Sequence, residues 1–110
     1  MAIKANLVVD QGTTFTATID LTDPSGVVFN LTNYTVAAQM RKNYTSSTAT
    51  TFVANHTGAG GEINLLLSAN TTSVLAPGRY LYDVEITSPG GAVTRVVEGI
   101  VTVTPGITRA

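Results

Sequence analysis

The chain has 110 residues, 44% of them hydrophobic and 12% charged, a net charge of −1 and no cysteine. That length supports one domain with a packed core and not two. Six scattered Lys and Arg residues do not make the clustered cations of a nucleic-acid groove, and the missing thiols exclude disulfide staples, thiolate metal sites and cysteine catalysis.

Charged residues make up about half the usual quarter of the chain, which fits a protein packed inside an assembly and equally a small neutral β domain. No run of about 18 apolar residues exists to span a membrane as a helix. The opening Met1-Ala-Ile-Lys-Ala-Asn6 lacks the apolar core of a signal peptide, so export by that route is not expected.

Residues 3–9 read as a first strand, and Asp10-Gln-Gly12 as a turn. From Thr13 to Leu21 the chain alternates, with Phe15, Ala17, Ile19 and Leu21 on one face and Thr14, Thr16, Thr18 and Asp20 on the other. Asp23-Pro-Ser-Gly26 is a turn, and residues 27–29 return as a short strand. Tyr34, Val36, Ala38 and Met40 form the apolar face of the next strand, which a polar loop over 43–48 follows. Strands are expected again over 50–54 and 62–67, separated by the Gly-rich stretch 55–61. Residues 70–76 form the one expected helical turn, capped by Asn70 or Thr71 and ended by Pro77-Gly78.

The strongest local signal comes last. Tyr80, Tyr82, Val84 and Ile86 alternate with Leu81, Asp83, Glu85 and Thr87, Ser88-Pro-Gly-Gly91 turns the chain, and residues 92–104 return rich in β-branched residues. Seven to nine short strands with turns every 8–12 residues predict an all-β, antiparallel, immunoglobulin-like sandwich. A closed barrel is the alternative. Residues 1–104 form the domain and 105–110 a short tail.

Chemistry is thinly marked. His56, the one histidine, lies in a polar loop with no orienting partner in sequence. Asp83 and Glu85 share a strand face, which reads as a solvated side that Arg95 and Glu98 pair with across the hairpin. Gly58-Ala-Gly-Gly61 has neither the following Lys-Ser/Thr nor the long helix of a phosphate loop and reads as a hairpin loop. Five Asn-x-Thr triplets, beginning at Asn30, Asn33, Asn43, Asn55 and Asn70, are incidental to a threonine-rich chain without a signal peptide. With no Trp, and with Tyr44 the clearest outward aromatic, a stacking platform for sugars is weakly marked. No catalytic residue, cofactor or metal is expected.

The final strand carries one further signal. Val93, Val97, Val101 and Val103 fall on one parity, while Val96 and Ile100 fall on the other with Thr94, Glu98 and Thr102. A sandwich strand needs one apolar face. The second predicts a docking surface built from Val96, Ile100, Thr102 and the tail through Ile107, used by a second copy or a neighbour.

Three phrases, residues 10–23 (Asp10-Gln-Gly-Thr-Thr-Phe onward), Phe29-Asn-Leu-Thr-Asn-Tyr-Thr-Val36 and Pro77-Gly-Arg-Tyr-Leu-Tyr-Asp-Val84, resemble small virion structural proteins of tailed bacteriophages. They are similar to the immunoglobulin-like N-terminal domain of phage baseplate upper proteins, with its Leu-Thr-Gly-Ala/Tyr-x-Val and Gly-x-Tyr-x-Tyr-Asp phrases. The closing run from Arg95 to Thr108 also resembles the end of small structural proteins of T4-like phages. The resemblance implies a non-enzymatic role in tail, baseplate, neck or capsid assembly, with other virion proteins as partners and the virion, assembled in the host cytoplasm, as location. Neither a nucleic acid, a membrane nor a small-molecule substrate is expected. A carbohydrate- or cell-surface-binding module is the alternative function.

Overall fold

The computed structural model describes residues 3–22, 25–43 and 49–106. Nine strands carry most of it: β1 (Ile3–Lys4), β2 (Leu7–Asp10), β3 (Phe15–Asp20), β4 (Thr35–Arg41), β5 (Thr50–Thr51), β6 (Val53–His56), β7 (Glu62–Leu67), β8 (Gly78–Thr87) and β9 (Val93–Thr104). One short helix, α1 (Ala69–Ser73), follows β7. Its cap is Ser68, whose hydroxyl accepts from the Thr71 N–H at 3.2 Å, two or three residues before the cap expected from the sequence.

The strands form an all-β sandwich of two antiparallel-rich sheets. The larger runs β1-β9-β8-β4-β5, with β2 also on β9, and the smaller runs β3-β7-β6. The β8–β9 hairpin thus lies inside the larger sheet, and the rest of the chain covers it on both flanks and one face. Between the sheets lie Val9, Met40, Phe52, Ile63, Leu65, Val84, Val97 and Val101, all 3% exposed or less. Phe52 is where the chain changes sheets. Its N–H bonds to Ala38 of the larger sheet at 3.0 Å, and its ring lies 6.2 Å from Phe15 and 6.1 Å from Tyr82.

Further features depart from the sequence reading, beginning with the expected strand over 50–54, which is divided at Phe52 between the two sheets. The first strand is broken at Ala5-Asn6, and both halves run parallel to β9, so the larger sheet is not purely antiparallel. Two of the strands are not short: β8 and β9 have 10 and 12 residues. Residues 27–29 form no strand; only a single bridge joins Val28 to Thr22. Asn33 closes the turn before β4 at a left-handed φ of 66°, which asparagine tolerates better than most residues.

The largest departure is a β-bulge. Val84 pairs with Val97 but Glu85 pairs with Arg95, leaving Val96 as an extra residue. The bulge turns both Val96 and Val97 into the core, at 8% and 0% exposure. It also reverses parity along β9, so Val93, expected inside, is 59% exposed.

Candidate functional site

The outer face of the larger sheet can be built row by row from the register. In the central row Lys4 pairs with Glu98, Glu98 with Asp83, Asp83 with Gln39, and Gln39 with Thr51. On one side of it Arg41 pairs with Leu81 and Leu81 with Ile100. On the other, Ala37 pairs with Glu85 and Glu85 with Arg95. Arg79, Thr102 and Val8 form the next row out.

Residues of the first three rows line an open basin of about 520 Å³, and the row of Arg79, Thr102 and Val8 lies outside it. Its floor is apolar at Leu81 and Ile100, and its walls carry Lys4, Arg41, Arg95, Asp83, Glu85 and Glu98 with the amides of Asn6, Gln39 and Asn43. Three of the chain's six basic residues and three of its seven acidic ones therefore meet on one face. Charges that look scattered along the sequence are gathered by the fold.

Asp83 and Glu98 stand directly opposite each other, a like-charge pairing that disfavours the sheet. Arg95 offsets it, its Nε donating to Asp83 Oδ2 at 3.1 Å. Both partners are partly solvated, so the pair contributes only about 0–1 kcal/mol to stability. Beside them Arg41 donates to Gln39 Oε1 at 3.2 Å, and Gln39 donates to Thr51 Oγ1 at 3.4 Å. Asn6 is fixed differently: its side-chain oxygen accepts from the Ile100 N–H at 3.1 Å, where the first strand breaks. The face is thus a set of donors and acceptors positioned on strands around a small apolar floor. It suits recognition of a mixed polar and apolar surface.

Of the four residues predicted for docking, Ile100 and Thr102 lie half-buried on this face. Val96 does not, because the bulge places it in the core. Ile107 lies outside the described residues, as does Tyr44. Asp83, Glu85, Arg95 and Glu98, read as a solvated side, all line the basin. Lys4, Asn6, Gln39, Arg41 and Leu81 were not singled out by sequence. The even-numbered residues Lys4, Asn6 and Val8 share an outward parity, but only the parallel pairing to β9 brings them beside Glu98 and Ile100.

His56 lies elsewhere, at the end of β6. Its Nδ1 accepts from the Gly58 N–H at 3.0 Å, which leaves Nε2 to donate to the Tyr34 carbonyl at 2.7 Å. Both ring nitrogens are thus engaged with backbone, and the ring acts as a brace between β6 and the turn before β4. Gly58–Gly60 is a 3-10 turn joining β6 to β7, the hairpin connection expected. The Asn30 side chain accepts from the Thr32 N–H at 2.9 Å and so shapes a local turn.

No family model matches this sequence, and no curated protein matches it. Among solved structures, the chain is similar to part of an internalin-like protein of Listeria monocytogenes, at 21% identity and a TM-score of 0.50. That match covers 94% of this chain and 28% of the other. A family 123 glycoside hydrolase from Clostridium perfringens matches at 11% identity and a TM-score of 0.44, over 96% of this chain and 24% of that one. The chain spans about a quarter of each protein. The first likeness is one of fold alone, and the second carries no argument.

Proposed function

We propose that this chain is a non-catalytic β-sandwich module that docks onto another protein of an assembly through the outer face of its larger sheet. The observation that carries the reading is the gathering of Lys4, Arg41, Arg95, Asp83, Glu85 and Glu98 around Leu81 and Ile100 in a chain otherwise poor in charge. Protein interfaces combine an apolar centre with a polar rim in this way, and matched charges of both signs set partner and register. A nucleic acid would call for cations without their matching carboxylates. The sequence phrases similar to phage virion proteins make a virion the assembly we favour, with other virion proteins as partners.

Cross-linking mass spectrometry on particles purified from producing cells tests this reading. Lys4 lies in the basin, and the chain has only one other lysine, Lys42. The expected result is a cross-link from Lys4 to another virion protein, lost on Glu98→Lys with Arg95→Glu. Absence of the chain from the particles overturns the virion assignment.

A second reading, a sugar-binding module, draws on the amides of Asn6, Gln39 and Asn43 beside Asp83, the side-chain types that bond sugar hydroxyls. A reproducible hit for the isolated domain on a glycan array, abolished by Asn6→Ala with Gln39→Ala, would favour it.

A further inference from the structure

Among the described residues, the longest open strand edge belongs to β3, not to the sheet that carries the basin. The larger sheet ends in the two residues of β5 and in β1 and β2, of two and four residues. The smaller ends in the four residues of β6 and the six of β3. Among the described residues, β3 pairs with β7 alone. An edge of unpaired N–H and C=O groups is a template for another strand, and proteins blunt such edges by shortness, lysine, proline or a bulge. β3 has no lysine, no proline and no break in register.

A second observation falls on the same flank. The core-facing residues Phe15, Ala17 and Ile19 are only half-buried, whereas Leu67, Leu65 and Ile63 opposite them on β7 are 2%, 1% and 0% exposed. Open hydrogen-bonding groups and uncovered apolar side chains thus run along one line.

We infer that β3 pairs antiparallel with β3 of a second copy of this chain, about a two-fold axis through Ala17. Opposed residues must share parity if the two core faces are to meet. Centred on Ala17, Phe15 meets the second copy's Ile19 on the core face and Thr16 meets its Thr18 on the outer face. Aromatic–β-branched and Thr–Thr pairs are both favourable across strands. Asp20, the only charge on the strand, faces Thr14 rather than its own copy. A shift of the axis to Thr18 would require Leu21 to pair with Phe15, yet Leu21 lies beyond the strand and is already covered, at 4% exposure. The pairing joins the two smaller sheets into one of six strands and closes on itself, leaving both basins free for other partners.

Sedimentation velocity over rising concentration is the first test. The wild type is expected to shift from monomer to dimer. Thr16→Lys with Thr18→Lys, both at exposed positions, is expected to stay monomeric and folded, losing the 3.0 Å bond from the Thr18 hydroxyl to Asn64 Oδ1. The second test uses the absence of cysteine: Ala17→Cys should oxidise to a covalent dimer and Asp20→Cys should not. A wild type that remains monomeric overturns the pairing, whether or not it accepts an extended segment of another protein along β3. So does a lysine variant that dimerises like the wild type, or an Asp20→Cys chain that cross-links as readily as Ala17→Cys.

Discussion

The Tyr82 hydroxyl donates to the Ala5 carbonyl at 2.6 Å, joining residues 77 apart at the point where the first strand breaks. The phenol belongs to the core, with Tyr82 4% exposed, and burial pushes its pKa from 10.0 up to about 12. The folded state therefore holds this proton more tightly than the unfolded chain. The stabilisation that the Tyr82 proton supplies is fully present below pH 10. It declines as pH rises from about 10 toward 12, because the unfolded chain ionises first. Tyr82→Phe should lose about 1 kcal/mol, and its denaturant midpoint should fall less than the wild type's across that window. Chemical denaturation at stepped pH checks both.

Gly99 lies under the same crossing. A Cβ there would collide with the Ala5 carbonyl backbone. Backbone cannot rotate away as a side chain can, so Gly99→Ala should force the first strand off β9 and cost about 1–3 kcal/mol. Hydrogen exchange should show the loss as faster exchange at Ala5, whose N–H bonds to Glu98 O at 3.0 Å.

Val96 and Ile100 should respond in opposite ways to the same change. Val96→Lys places an ammonium in the core and should cost about 3 kcal/mol or more, read as a large drop in melting temperature. Ile100→Lys changes a half-buried residue on the basin floor and should leave the fold within about 1 kcal/mol of wild type while blocking docking.

Thr72 is the buried polar residue of the described core. Its hydroxyl donates to the Thr13 carbonyl at 2.7 Å and accepts from the Gly12 N–H at 3.1 Å, tying α1 to the turn before β3. Thr72→Val keeps the shape but removes both bonds, and should cost about 1–3 kcal/mol by leaving backbone groups unpaired. A urea melt is the check.

His56→Phe should likewise lower stability, by about 1–2 kcal/mol, through the lost bonds to Tyr34 and Gly58. Its partner binding should match the wild type's, since the ring lies outside the basin.

Alternation along a strand is local, and it was legible. Tyr82, Val84 and Ile86 point inward as their spacing requires, and so do Ile63, Leu65 and Leu67. The bulge at Val96 was not legible, because an extra residue is defined only against the strand opposite. Once it is present, every parity assignment on one side of it reverses, which is why Val93 and Val96 exchanged places with respect to the core. The basin was hidden for a related reason. Glu98 and Asp83 share a predictable hairpin, but Lys4 reaches Glu98 only through a parallel pairing that no turn in the sequence announces. Edge status was equally invisible: β3 and β7 alternate alike, and only the sheet order separates an open strand from a central one.

The parallel ladder of Leu7–Asp10 on Val101–Thr104 also sets the order of events in folding. Val9 is fully buried only once residues more than 90 positions later have been made. So long a loop is costly to close, and a sandwich built on such non-local pairings is expected to fold in milliseconds to seconds rather than microseconds. During synthesis the first strand must wait, with Val9 uncovered, until the last strand leaves the ribosome.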